Sequence, residues 1–531
     1  MFRSKIRIFL VFLGLSCSAN YVKALEINDL NLDTLFCDQT NNSVKFTSQV
    51  LNLPVGDSCI KPSLPSNNGA IKVSNLDDVV YLTKKSPSIK ALDFSYLSTK
   101  LTEKASYLTA FGPQLKLSSG SLSVSNTTTN YNYNNQTRDG RPSNSPASTQ
   151  DSTYTQSASI TPLLSIPIFN PQNINLARYY SNLSKSSAYS TTDNDLTQIS
   201  SALTNFLNLW IQSRQLQVSV DNLEASLQAL AASVGQYKVG LLAKPDLGST
   251  YSTYKSYQAS LLDSINSYNT SYNSLANSLG VQPDNIQLTP SALSDDALFS
   301  ITNYVVPSKD KLRSLVLENS SQLYADIYQS RASDRFADYY LSTYLPTFSI
   351  LASFSPSSSY SSFKSSQSGS VTEQYDYTSS SPSSYAVGLS FNWTLFDSLS
   401  AAASASSQKK LSLSYIEQAR ALAISKIQSA LSSISTYESY TTSTVILLKA
   451  TQASLNAYNG TLYALRAGFS DTTTLVQRLN QLNSNRTSYL TSLQTALAAK
   501  INIAYLTRSG IYLNYNPYNL IYSSQFLDIL K

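Results

Sequence analysis

The sequence predicts a chain that combines membrane-type β-strands with long helical hairpins, present in two tandem copies. Three observations support this fold class. Segments with strict apolar and polar alternation occur in two pairs. Long segments without proline carry apolar residues three and four positions apart. Similar short sequences recur about 230 residues apart in a chain of 531 residues.

The composition limits the class of protein. Only 13% of the residues are charged, against about 25% in a soluble domain. The chain has no histidine, one methionine and three cysteines, so the commonest general base and most metal ligands are missing. We therefore expect no enzyme, no catalytic or cofactor-binding residues and no metal site. The net charge of +6 is spread along the chain, so we expect no nucleic-acid partner.

The N-terminus has the features of a secretory signal peptide over residues 1–24. Three basic residues in the first seven positions precede the apolar run Ile8–Leu15, and small residues follow it. We expect cleavage after Ala24, with Ala19 as the alternative. No later run of about 18 apolar residues occurs, so we expect no transmembrane helix in the mature chain.

Residues 25–75 form an N-terminal extension with no place in the repeated unit. This segment contains Cys37 and Cys59. A secreted chain meets an oxidising compartment, so we predict a disulfide between these two cysteines.

The two copies are delimited by collinear matches. Phe111–Pro113 resembles Tyr344–Pro346, and Tyr237–Gly240 resembles Leu465–Gly468. An offset of this size exceeds solenoid repeats of about 20 to 50 residues, so each copy is a half-domain. The predicted divisions after residue 75 are a first repeat at 76–300, a second repeat at 301–510 and a C-terminal tail at 511–531.

Each copy contains two alternating segments that we predict to be strands. They lie near 114–126, 155–168, 346–356 and 384–396. In the last of these, Tyr385, Val387 and Leu389 share one face. The polar segments Thr127–Thr153 and Ser357–Ser384 are expected to be long loops. The alternation fits a membrane barrel or a soluble sandwich edge. Four strands cannot close a barrel, and open edges are not stable in lipid, so a barrel would be shared between subunits.

Helical hairpins are predicted at 172–280 and 400–508. In the first hairpin, apolar residues keep a coiled-coil period up to Tyr237 and resume it from Leu247. The break between them, Val239–Pro245, predicts a turn. A helix of roughly 67 residues would be about 100 Å long. We expect the residues of this apolar stripe to form a buried seam rather than a binding site.

These features together resemble the TolC family of outer-membrane efflux and secretion channels. The turn Val239–Leu247 is similar to the family pattern V-G-L-x-A-x-x-D-V. The second turn, Arg466–Ser470, keeps the glycine but has no acidic residue at the matching position. The strand ends Ile166–Asn170 and Thr394–Asp397 also match. The resemblance covers about residues 75–510.

The resemblance implies a homotrimer in the bacterial outer membrane with its helices in the periplasm. Three chains would form a β-barrel of twelve strands, in contact with outer-membrane lipid, continuous with an α-helical barrel. The trimer would be the exit duct of a tripartite efflux pump or a type I secretion system. Its partners would be a periplasmic adaptor (membrane fusion) protein and an inner-membrane transporter, and the helix tips would open like an iris.

The resemblance also implies site residues at the tips. Adaptor docking is expected at Val239, Gly240, Leu241, Asp246, Ala467, Gly468 and Phe469. Gly240 and Gly468 would supply turn geometry, and Asp246 could cap the returning helix or carry charge there. Aperture-lining positions are expected at Asp471, Thr474 and Gln477. Family channels often carry acidic residues at the aperture, where this sequence has Thr474 and Gln477. Asp471 lies nearby but out of register, so we do not expect an acidic ring.

Two other functions remain open from the sequence. A trimeric autotransporter-type anchor also contributes four strands per chain, but its strands are consecutive. A non-channel coiled-coil envelope scaffold would need no alternating strands.

Overall fold

A computed structural model describes residues 41–53, 64–65, 69–74, 76–119, 123–133, 147–288, 307–367, 370–380, 383–467 and 469–509. The predicted signal peptide, the Cys37 and Cys59 pair, Gly468 and the predicted tail lie outside these residues. The chain divides into two compact units. The helical unit comprises Met1–Tyr96, Ala188–Tyr324 and Ala419–Lys531, and the sheet unit comprises Leu97–Ser187 and Ala325–Gln418.

The described residues form both long helices and long strands. In chain order, the helices are α1 (Asn42–Leu51), α2 (Leu76–Lys84), α3 (Pro87–Phe111), α4 (Pro171–Lys238), α5 (Lys244–Leu279), α6 (Lys309–Asn319), α7 (Ser321–Leu341), α8 (Ser400–Arg466) and α9 (Thr472–Thr507). The strands are β1 (Ile71–Val73), β2 (Gln114–Ser119), β3 (Ser123–Tyr133), β4 (Ala147–Phe169), β5 (Ile286–Leu288), β6 (Thr347–Gln367), β7 (Ser370–Ser380) and β8 (Ser383–Asn392).

The sheet unit contains one antiparallel array with four rows of strand. β2 and β3 pair with β4, β4 pairs with β6, and β6 pairs with β7 and β8. The register aligns Leu115 with Leu164, Leu164 with Ala352, and Ala352 with Val387. A line of apolar side chains therefore runs across all four rows of strand, as the alternation on each strand predicts.

The expectation of long loops at 127–153 and 357–384 is wrong for most of these residues. Strand pairing continues to Tyr133 in β3 and resumes at Ala147 in β4, and β6 extends to Gln367 opposite β7. Thr and Tyr favour extended backbone. The ladder is held by backbone hydrogen bonds, which do not require apolar side chains.

The two predicted hairpins are α4–α5 and α8–α9. The helical unit contains all of α5 and α9, together with α4 from Ala188 and α8 from Ala419. The first helices have 68 and 67 residues, and the returning helices have 36 residues each. These matched lengths support the predicted duplication. Within the described residues, no helix is both long and apolar enough to cross a membrane.

The predicted seam of the first hairpin forms the main hydrophobic core. In α4 the buried members include Leu196, Ile199, Leu203, Phe206, Trp210, Leu216, Val220, Leu223, Leu230 and Val234. In α5 they include Leu247, Tyr254, Leu261, Ile265, Tyr268, Tyr272, Leu275 and Leu279. Burial of this stripe stabilises the hairpin far more than helix propensity alone would.

The N-terminal extension is part of this core. Val44 of α1 and Val73 of β1 are fully buried in it. β1 pairs in parallel with β5, with Lys72 opposite Gln287. The extension therefore packs into the core of the first hairpin and pairs with the strand that follows that hairpin.

Candidate functional site: two helix tips and an apolar sheet

The first tip is a left-handed turn at the end of α4. Gly240 has a φ of +77°. Its N–H donates to the Tyr237 carbonyl at 3.0 Å, and the Leu241 N–H donates to the Gln236 carbonyl at 2.9 Å. This pair of bonds is the Schellman arrangement, which favours glycine. A Cβ on Gly240 would meet no atom within 4 Å, so the glycine is required by backbone conformation rather than by packing.

The surface of the first tip is apolar. Val239 is 69% exposed and Leu241 is 79% exposed, while Leu247 at the start of α5 is fully buried. The tip is therefore anchored by one leucine and presents two apolar side chains outward.

Asp246 does not cap α5, so that part of the prediction is wrong. The N-cap position is Ala243, which makes no side-chain bond, and Asp246 lies in the first turn. Its side chain is exposed. A carboxylate in the first turn of a helix interacts favourably with the helix dipole.

The described residues of the second tip make a backward hydrogen bond like that of the first. The Phe469 N–H donates to the Ala464 carbonyl at 2.8 Å, and the Ala467 N–H donates to the Tyr463 carbonyl at 3.0 Å. Phe469 is 88% exposed. Both tips therefore bond back to a carbonyl five residues earlier and point an apolar side chain into solvent.

Asp471 is the N-cap of α9. Its carboxylate accepts the Thr474 N–H at 2.6 Å, and this hydrogen bond lowers the pKa of Asp471 below its usual value. The sequence analysis treated Asp471 only as an aperture position and missed this role. The available signal was an aspartate directly before a helical period. Thr474 is half-buried and Gln477 is exposed.

Polar side chains connect the two hairpins a few turns from their tips. Asn222 Nδ2 donates to Asn483 Oδ1 at 2.8 Å, and the Tyr257 hydroxyl donates to Asn480 Oδ1 at 2.5 Å. Burial raises the pKa of Tyr257 to about 12, so the phenol stays a neutral donor. These links join α4 and α5 to α9 and were not predicted, because the sequence does not show which residues meet.

An ion pair completes this group of links. Arg486 Nη1 lies 3.6 Å from Asp221 Oδ2. Burial raises the pKa of Asp221, although Arg486 opposes that shift. Burial also lowers the pKa of Arg486. The Arg486 side chain is 16% exposed and that of Asp221 is 52% exposed. Removing Asp221 would therefore leave a mostly buried guanidinium without its partner.

The sheet presents an apolar face to its surroundings. Leu115, Leu117 and Val387 are 74%, 73% and 76% exposed, and Leu389 is 65% exposed. Among the described strands, β2 pairs only with β4, and β8 pairs only with β6. The outer edge of each of these strands therefore has unpaired backbone groups within one chain.

The strand end Thr394–Asp397 leads into α8 through a hydrogen-bonded corner. The Tyr344 hydroxyl donates to Asp397 Oδ1 at 2.5 Å, and Asp397 Oδ2 accepts the Ala401 N–H at 2.8 Å. Ser398 and Leu399 have φ values of +58° and +63°. The bond from Tyr344 lowers the pKa of Asp397. This carboxylate therefore holds a turn that would otherwise be strained.

Comparison with known proteins connects these surfaces to a class of structure. No family model matches the chain, and no curated protein matches it in sequence. Among solved structures, the outer membrane protein VceC from Vibrio cholerae is 12% identical with a TM-score of 0.60, covering 82% of this chain and 96% of that one.

Two further solved structures are similar over most of their length. The Campylobacter jejuni CmeC outer membrane channel is 11% identical with a TM-score of 0.64, covering 89% of this chain and 93% of that one. The open state of the Neisseria gonorrhoeae MtrE outer membrane channel is 11% identical with a TM-score of 0.57, covering 85% and 96%. At this identity the likeness shows the fold.

Proposed function

We propose that this chain, which has the fold of TolC-like outer-membrane channels, is one protomer of a trimeric channel-tunnel in the bacterial outer membrane. It acts as the exit duct of a tripartite efflux pump or a type I secretion system, with its helices in the periplasm. One observation carries the proposal. A sheet with an exposed apolar face and open edges continues, twice in one chain, into helices of 68 and 67 residues.

The sheet supports assembly in a membrane. Its apolar face suits lipid, and its two open edges must find partners because unpaired backbone groups are unfavourable there. Edge strands of neighbouring copies supply those partners. Three copies with four rows each give a closed barrel of twelve rows, a size within the known range of membrane barrels.

Exposed apolar residues on α8 support neighbouring subunits as well. Leu413, Ile424 and Ile446 are 54%, 58% and 62% exposed in a single chain. The seam of the first hairpin, by contrast, is buried within the chain. Contact between copies would cover the α8 residues, which favours an oligomer over a monomer.

The tips and the links near them support a gate. Opening like an iris requires one hairpin to move relative to the other, and the contacts of Asp221 with Arg486 and Asn222 with Asn483 oppose this movement. Val239, Leu241 and Phe469 offer an apolar surface to an adaptor protein. The MtrE structure is described as an open state of that channel, which is consistent with gating in this fold.

The arrangement of strands favours this function over an autotransporter-type anchor. The two strand groups of the sheet are separated in sequence by α4 and α5. An anchor with four consecutive strands has no such insertion. A coiled-coil scaffold would have no use for the exposed apolar sheet face.

Purification and bilayer recording test the proposal. The protein is expected to be extracted only with detergent, to run as a heat-resistant trimer and to conduct ions in planar bilayers. Arg486→Ala is expected to raise the open probability, because it removes a link between the hairpins. Arg335→Ala, which removes an exposed pair with Asp338, serves as a matched control and should leave gating unchanged. A soluble monomer would rule the proposal out.

A further inference from the structure

The N-terminal helix α1 docks beside the first tip. Phe46 of α1 packs edge-on against Tyr237, with ring centroids 6.3 Å apart. Lys238 Nζ lies 4.6 Å from the centroid of the Phe46 ring, within the range of a cation–π interaction. Tyr237 and Lys238 are the last two residues of α4. The end of the helix that carries the tip is therefore held by α1.

The start of α5 is held by the same helix. Ser48 Oγ donates to the Tyr251 hydroxyl at 3.2 Å. A Cβ on Gly248 would lie 3.7 Å from Leu51 Cδ2. Glycine inside a helix costs about 1 kcal/mol relative to alanine. Leu51 therefore packs directly over this position, at a distance that accepts a methyl group but leaves no room for a large side chain.

α1 is a well-defined element in its own right. Asn41 caps its start by accepting the Ser43 N–H at 3.0 Å, and Asn52 ends it with a φ of +57°. One face is buried, with Val44 and Thr47 fully covered. The opposite face, including Lys45, is exposed.

The docking residues differ between the two hairpins. The ends of α4 and α8, Lys238 and Arg466, match each other, and so do the starts of α5 and α9, Lys244 and Thr472. By this alignment Gly248 and Tyr251 correspond to Val476 and Leu479. The second hairpin therefore has neither the space nor the hydroxyl group that α1 uses on the first.

We propose that α1 is an intramolecular splint that holds the first tip in one conformation, so that movement at the tips is confined to the second hairpin. The claim that movement is confined to the second hairpin rests on the proposed gate. The splint itself rests only on the contacts of α1, which allows the two to be tested separately.

Hydrogen exchange on the full mature protein tests the splint. Phe46→Ala and Gly248→Trp should release α1 and raise exchange in residues 228–238 and 250–258 by about tenfold. Exchange in residues 456–466 and 478–486 should stay unchanged. Lys45→Ala, on the exposed face of α1, is the matched control. Gly248→Ala keeps an ordinary contact distance to Leu51 and should not raise exchange. An unchanged first hairpin in the release variants, or an equal rise in both hairpins, would overturn the splint.

A covalent lock tests its role in gating. In a chain with Cys37→Ser and Cys59→Ser, the pair Leu51→Cys and Gly248→Cys is joined by a short bis-maleimide. The locked protein should open in bilayers as the unlocked protein does. Failure to crosslink, or loss of opening after crosslinking, would contradict the proposal. If the unlocked protein does not conduct at all, the channel function fails while the exchange result on the splint still stands.

Discussion

At the residue scale, two aspartates near the tips have different roles although both lie at the start of a returning helix. Asp246 lies in the first turn of α5, where the N-cap residue is Ala243. Asp471 accepts a backbone N–H and starts α9. The resemblance to a family pattern identified Asp246 but gave no information on which acid caps. That distinction depends on whether the aspartate lies directly before the helix or within its first turn.

Two variants can distinguish the capping oxygen of Asp471 from its negative charge. Asp471→Ala should destabilise the start of α9 by about 1 kcal/mol and speed exchange of the Thr474 amide. Asp471→Asn keeps a capping oxygen and should preserve that protection. Since the pKa of Asp471 is lowered in the fold, its contribution should be lost as pH falls below the usual aspartate range.

The same two variants test the predicted aperture position of Asp471. If its charge lines the pore, both variants should reduce block by multivalent cations in bilayer recordings. Unchanged block in both would remove that role and leave the cap alone.

A buried lysine on α9 predicts a second pH effect. Lys500 is only 2% exposed, and burial lowers its pKa to about 8 from 10.5. The unfolded chain therefore holds this proton more tightly, so the free energy of unfolding should rise as pH increases from 8 to 10.5.

Lys500→Met should raise the free energy of unfolding at pH 7 by about 1 to 2 kcal/mol and remove this rise. Denaturant unfolding at several pH values measures both effects. The exposed Lys449 provides the control, and Lys449→Met should keep the rise. A Lys500→Met protein with the wild-type pH profile would be inconsistent with this account.

At the element scale, the long hairpins were predictable because period, absence of proline and a glycine at the turn all agree. Strand lengths were not predictable, because the polar composition of β3 and β7, rich in Ser, Thr and Tyr, is also that of a polar loop. The pairing of β1 with β5 involves three residues on each side, and so short a strand depends on tertiary contact rather than on local sequence.

Two glycines at the end of α4 should respond oppositely to alanine. Gly240 has a left-handed backbone, so Gly240→Ala should lower the stability of the tip by about 1 kcal/mol. Gly235 lies inside α4, where a Cβ would meet nothing within 4 Å. Gly235→Ala should therefore stabilise the same turn of helix by up to about 1 kcal/mol.

Hydrogen exchange in residues 228–238 reports on both changes. Faster exchange in the Gly240 variant and slower exchange in the Gly235 variant are expected. A change in the same direction for both would mean that the turn tolerates a side chain at Gly240 or that Gly235 has an unseen contact.

At the scale of the whole molecule, the low share of charged residues is explained by where the apolar side chains lie. The first hairpin buries its own seam, whereas the sheet and α8 leave large apolar side chains exposed in one chain. Sequence reasoning located the four strand regions and the hairpins. It missed the links between hairpins and the docking of α1, because both depend on residues far apart in sequence.

The two faces of the sheet should differ in their tolerance of charge. Leu389 is on the apolar face of β8, opposite Ile350, and Ser390 is on the other face. If the apolar face meets lipid, Leu389→Arg should destabilise the assembled protein by about 2 to 4 kcal/mol near the midplane and less near an interface. Ser390→Arg would point away from lipid and should cost less. The measurement is the fraction of heat-resistant trimer in the membrane, followed by urea unfolding in vesicles. An equal loss of stability in the two variants, or a larger loss for Ser390→Arg, would contradict the prediction that the face carrying Leu389 contacts lipid.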